Sequence, residues 1–172
     1  DFQTWDLNRI IREITKYYLG SLENKEELQK ILLEEFEPIL INEDSGEAHL
    51  RPTLFDILAH KALIFFINEE SSLTQPVYKF VLNNENDFAV DTVFVKNNYT
   101  TKDSLSLKFY AIQLYQELIA FHLNSAYKEA LLDIDLARIN FVYNNNILSN
   151  KKDLYYKSLL YLTDKYKELS HS

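Results

Sequence analysis

Between residues 101 and 169 three successive stretches repeat the same apolar spacing, and only short polar joints separate them. TKDSLSLKFYAIQLYQELIAFHLN sets Leu105, Phe109, Ile112 and Ile119 on one face, with Leu114, Leu118 and Phe121 beside it. NSAYKEALLDIDLARINFVYNN places Ala126, Ala130, Ile134, Ala137 and Phe141 at the same period, and SNKKDLYYKSLLYLTDKYKEL does so with Tyr155, Leu159, Leu162, Tyr166 and Leu169. A 3.6-residue period is that of an amphipathic α-helix. Helices of roughly 16 to 20 residues with joints this short fold back antiparallel to their neighbours. The alanines of the second stretch allow a close helix approach.

The same period governs the amino-terminal part. DLNRIIREITKYYLG aligns Leu7, Ile11, Ile14 and Tyr18, with Gly20 placed as a C-terminal cap. NKEELQKILLEEFEP follows, with an Asn24 and Glu27 capping box, a stripe of Leu28, Ile31, Leu32 and Phe36, and Pro38 against continuation. Residues 42–50, NEDSGEAHL, read as a loop. RPTLFDILAHKALIFF at 51–66 then opens on Pro52 with Thr53 able to satisfy the first helical amides. Leu54, Leu58, Ala62, Phe65 and Phe66 share a face, and Phe55, Ile57, Leu63 and Ile64 widen it, so this helix is expected to pack on several sides.

The expected fold is all-α: antiparallel helical hairpins in a tetratricopeptide-like right-handed array or an irregular bundle, with a mixed connector at about 71–100. Helix starts near 101, 124 and 149 give a hairpin period of about 48 residues, longer than the roughly 34-residue tetratricopeptide unit, so the likeness is one of architecture. Within the connector, Val77, Lys79 and Val81 alternate with Tyr78, Phe80 and Leu82 as an extended segment would, and DFAVDTVFVKNN reads as a short helix or a strand fragment. The chain is expected to be a single helical domain over 1–172, divisible into 1–70 and 101–172 on either side of 71–100.

Composition removes several functions. No cysteine is present, which excludes disulfides, thiolate metal sites and thiol nucleophiles. Net charge is −8, with 12 acidic and 5 basic groups in residues 1–50, a balance that opposes binding to a phosphate backbone. No nucleic-acid partner is expected. Asp56, His60 and Lys61 interrupt the most apolar stretch, so no direct membrane span is expected either. Only two glycines and three prolines occur, which argues against a loop-rich fold. The lack of methionine, position 1 included, and the abrupt start DFQTW read as a processed or excised chain.

Chemistry has few footholds. Asp56 and His60 stand four apart and could pair on one helix turn, and His49 could join them as a metal site only through tertiary folding. The simpler reading is a histidine held structurally by a carboxylate. Asp133 and Asp135, two apart, do not share a face, and one of them is expected to meet Arg138 or a neighbouring helix. Glu117 and His122 lack zinc-helix spacing, and no glycine-rich phosphate loop or nucleophile motif occurs. Asn98, Tyr99 and Thr100 match an N-glycosylation acceptor, a short and unspecific pattern. The 12 tyrosines and 11 phenylalanines fit core and interhelix packing better than a ligand groove. No residue is therefore assigned a catalytic, cofactor-binding or metal-binding role, and no cofactor or enzymatic activity is expected.

RPTLFDILAHKALIFFINEE at 51–70, TKDSLSLKFYAIQLYQELIAFHLN at 101–124 and ALLDIDLARINFVYNN at 130–145 together resemble the helical amino-terminal region of bacterial alpha-2-macroglobulin family proteins, the large cell-envelope forms of Bacteroides relatives in particular. The resemblance covers roughly 50–170. It implies an accessory, non-catalytic helical domain of an exported lipoprotein, periplasmic or outer-membrane-associated through the parent's anchor. It implies too that endopeptidase inhibition resides in downstream β-sandwich, bait and thioester parts that this segment lacks. Partners would be other domains of the parent chain or envelope proteins. The alternative is a helical carbohydrate- or peptide-binding module of an envelope lipoprotein, which exposed aromatic rings around a concave groove would favour.

Overall fold

Helix α1, Leu7–Gly20, starts where Asp6 accepts a hydrogen bond from the Arg9 amide at 2.8 Å, and it buries Ile11 and Thr15. In this computed structural model the described residues are 5–36, 48–68, 78–167 and 169. All regular structure among them is helical, with only two isolated bridges and no strand. The chain forms two compact units, one drawing on Asp1–Lys79 and Thr101–Ala111, the other on Phe80–Thr100 and Ile112–Ser172.

In the first unit the expected glycine cap is replaced by a right-handed ending. Gly20 is the last residue of α1, and amides of Ser21 and Leu22 return to the carbonyls of Tyr17 and Leu19, both at 3.0 Å. Gly20, the one glycine among the described residues, does not take a positive φ. The expected second helix is also shorter than its apolar period indicates: α2 covers only Lys25–Leu28, and a 3-10 turn follows at Leu33–Phe36. Asn24 makes no side-chain cap, and Glu27 pairs with Lys30 at 2.8 Å. The segment between is drawn into another pairing, in which Leu33 N donates to Pro52 O and Leu54 N to Ile31 O, both at 2.9 Å. That bridge claims main-chain groups a continuous helix would use for itself. It also buries Leu33, whereas Leu28, Ile31 and Leu32 are half-buried. Pro38 and most of the 42–50 loop lie outside the described residues.

Helix α3, Leu54–Ile67, is capped as the sequence led us to expect. Thr53 and Asp56 form a reciprocal capping box, with Thr53 N on Asp56 Oδ2 at 3.0 Å and Asp56 N on Thr53 Oγ1 at 3.3 Å. Its buried stripe differs from the expected one. Phe55, Ala59, Ala62, Leu63 and Phe66 are inside, Leu54, Leu58 and Phe65 are half-buried, and Ile64 is 67% exposed. The helix therefore buries one stripe and not its whole circumference. Two aromatic contacts fix its packing within this unit, Tyr18 stacking on Phe65 at 5.3 Å and Phe66 meeting Tyr110 at 5.6 Å.

The three carboxy-terminal helices are α5 at Leu107–Leu123, α6 at Lys128–Asn145 and α7 at Lys151–Lys165. Helix α5 begins in the first unit and continues into the second. It starts later than the spacing predicts because residues 101–106 form side-chain-supported turns, with Asp103 N on Thr101 Oγ1 at 2.9 Å and Leu105 N on Asp103 Oδ1 at 3.1 Å. Ala126, expected in the α6 stripe, is exposed in the turn before it. Ring pairs link neighbouring helices: Tyr115 of α5 with Phe141 of α6 at 5.4 Å, and Tyr143 of α6 with Tyr155 of α7 at 4.5 Å. Leu118, Ile119, Ile134, Ile139 and Val142 form the core of the second unit.

Candidate functional site

The connector residues Phe80–Thr100 belong to the second unit, where they bury Phe80, Leu82, Phe88 and Phe94 and are further anchored by polar groups. Phe80 and Leu82 point inward while Val81 is exposed, the alternation of an extended half-buried segment, and Ile147 N donates to Leu82 O at 3.1 Å. A 3-10 turn at Glu85–Phe88 carries its own capping box from Asn84 to Asp87. Helix α4 then occupies Asp91–Phe94, so DFAVDTVFVKNN contains a short helix and no strand.

Two buried carboxylates belong to this segment, Asp87 and Asp91, and α6 adds a third, Asp135, together with a fully buried Arg138. Arg138 Nε donates to Asp135 Oδ1 at 2.9 Å, Nη2 binds the same oxygen, and Nη1 donates to the Asp87 carbonyl at 2.9 Å. The guanidinium also sits 4.5 Å over the Phe94 ring. Asp87 accepts from Asn84 N at 3.1 Å, the Tyr99 hydroxyl at 2.9 Å and Asn146 Nδ2 at 2.9 Å. Asp91 accepts from Thr92 N at 2.7 Å and from Lys165 Nζ. Ser158 Oγ adds a bond to the Phe88 carbonyl at 2.7 Å, and Gln116 Nε2 spans the Phe94 and Asn97 carbonyls at 3.0 and 2.9 Å.

Burial is the leading influence on these groups. It pushes the Asp87 carboxyl above its ordinary value, against the pull of Asn84, Tyr99, Asn146 and the Arg138 charge. It pushes Asp135 up likewise, against Arg138, and Asp135 Oδ2 is buried with no hydrogen-bond partner among the described residues. The Tyr99 hydroxyl is raised mainly by burial. For Lys165 burial acts downward, and the Asp91 carboxylate together with Tyr166 outweighs it to leave the ammonium raised. Donors from α5, α6 and α7 thus converge on one irregular segment.

On its outward side the connector walls a cleft of about 400 Å³. Two stretches line it, one with Val81 and Asn83 and the other with Asn98 and Thr100, and the exposed Lys96 lines it too. Tyr99 and Phe80, 6.3 Å apart edge to face, lie deeper, with the Tyr99 hydroxyl turned inward to Asp87. A second depression, of about 310 Å³, lies between Glu85–Val90 and α7 and reaches Arg138.

The residues weighed from sequence are scattered. His49 is exposed; Asp56 is buried in the α3 capping box, where Thr53 Oγ1 also donates to it at 2.7 Å; His60 is half-buried one turn on. His122 is buried, with Ser125 Oγ 3.2 Å from its Nδ1, and Glu117 is exposed. Of the two α6 aspartates, Asp135 meets Arg138 and Asp133 is half-buried. Asn98 and Thr100 are exposed around a half-buried Tyr99. No group of three or more histidine, aspartate or glutamate side chains among the described residues could hold a metal ion. Among those residues no helix is long and apolar enough to cross a membrane.

Sequence reading missed Asp87, Asp91, Asn146 and Lys165, which lie far apart along the chain. Paired asparagines at 83–84, 97–98 and 145–146 were the available signal, since asparagines cluster where backbone is supported by side chains. No family model, curated protein or solved structure matches this chain.

Proposed function

We propose that this chain is a non-catalytic helical interaction domain, an accessory part of a cell-envelope alpha-2-macroglobulin-like protein whose endopeptidase inhibition belongs to other domains. The observation that carries the reading is the use made of its buried ionisable groups. Asp87, Asp91, Arg138 and Lys165 all bind the connector or are part of it, and the result is a shaped surface outside the helices. Charges buried this way fix a conformation more than they add net stability. The parent identity rests on the resemblance at 51–70, 101–124 and 130–145, which would make this a domain of an exported lipoprotein with sister domains or envelope proteins as partners.

The cleft supports the second reading, a carbohydrate- or peptide-binding module, because amide side chains and a concave shape are what such ligands require. Locating this segment in its full gene product tests the first reading. A downstream array of β-sandwich domains agrees with it; a chain whose other domains bear no relation to macroglobulins contradicts it.

A further inference from the structure

We infer that the cleft between Val81–Asn83 and Asn98–Thr100 is a docking site for an extended peptide segment, recognised through its main chain. The inference rests on the interaction-domain reading and names the partner's chemistry. In an extended chain the main-chain groups of successive residues point to opposite edges. Leu82 spends its carbonyl on Ile147, so those of Val81 and Asn83 face the other way, toward the cleft both residues line. Among the described residues neither Val81 nor Asn83 forms a main-chain hydrogen bond, and the same holds for Asn98 and Thr100 across the cleft.

An unpaired extended edge is a template for strand addition. The side chains of Asn83 and Asn98 make no hydrogen bond to the described protein, and each offers the same donor and acceptor pair as a peptide unit. The volume falls in the range of roughly 300–1,000 Å³ typical of ligand pockets. Charge sets the peptide's character. Asp87, the carboxylate in the lining, already accepts from three donors, while Lys96, also in the lining, is exposed and its ammonium has no partner among the described residues. A neutral or acidic segment therefore fits, and a basic one does not.

A sugar would need an aromatic face to stack on. Phe80 is only 9% exposed, and Tyr99 is half-buried with its hydroxyl engaged, so the cleft offers amides in place of a stacking platform.

The test pans the intact chain against a randomised linear peptide library, then titrates the enriched peptides and, separately, chitotriose into 15N-labelled chain. The expected result is enrichment of neutral or acidic peptides that shift the amides of Val81, Asn83 and Asn98. Methylating alternate peptide nitrogens should weaken them roughly tenfold, and so should Asn98→Ala, an exposed change that leaves the fold intact. Absence of enrichment overturns the inference, as does indifference to N-methylation. Peptides that bind only elsewhere overturn the site while the interaction-domain reading survives. Shifts at these amides with chitotriose and not with peptides replace the peptide by a carbohydrate.

Discussion

Arg138 has no access to water, and all its hydrogen bonds go to Asp135 and to the Asp87 carbonyl. Arg138→Met should therefore destabilise the chain by about 3–5 kcal/mol, because removing one partner leaves the Asp135 charge buried and uncompensated. Urea unfolding measures it, and a neutral result would mean that Asp135 is already protonated. The pH dependence of Asp87 follows from the sign of its shift. Its folded-state pKa is raised, so the folded chain binds that proton more tightly, and its contribution to stability grows as pH falls from neutral through the folded value. Asp87→Asn cannot take up that proton. Its destabilisation relative to the parent should be larger at about pH 5 than at about pH 7. A cost that shrinks on acidification would place the Asp87 shift in the opposite direction.

At the scale of elements, α3 separates buried from merely apolar. Phe66 is 1% exposed and touches both Tyr18 and Tyr110, so Phe66→Ala should cost about 3–5 kcal/mol. Ile64→Ala, on the open side of the same helix, should stay within about 0.5 kcal/mol. Thermal unfolding of the pair checks the orientation of the stripe. The position of α3 was legible because Pro52 and Thr53 mark its start locally, and α6 and α7 were legible from their period. The buried face of α3 was not, since a helix apolar on most sides carries no periodic contrast. The shortening of α2 was hidden as well, because the groups that interrupt it come from Pro52 and Leu54, some twenty residues on. The candidate site was least legible of all: Asp87 meets Arg138 and Asn146 only after α6 has folded back, and a linear pattern does not encode that meeting.

For the whole molecule, the proposed interaction-domain role carries its own prediction. Incubated with endopeptidases, it should leave their activity on a large substrate unchanged and form no covalent adduct, since it has no cysteine from which a thioester could form. Stoichiometric inhibition or an adduct would move the functional centre into this segment. The claim on which the rest depends is that buried charges hold Phe80–Thr100 as a fixed surface. Hydrogen exchange tests it most directly, by following the amides of Asn84, Asp87, Phe94 and Asn97, each bonded within the connector, in the parent chain and in Arg138→Met. The expected result is protection approaching that of α6 in the parent, and a loss in Arg138→Met that is greatest in the connector. Exchange of those amides at unprotected rates in the parent chain would contradict it.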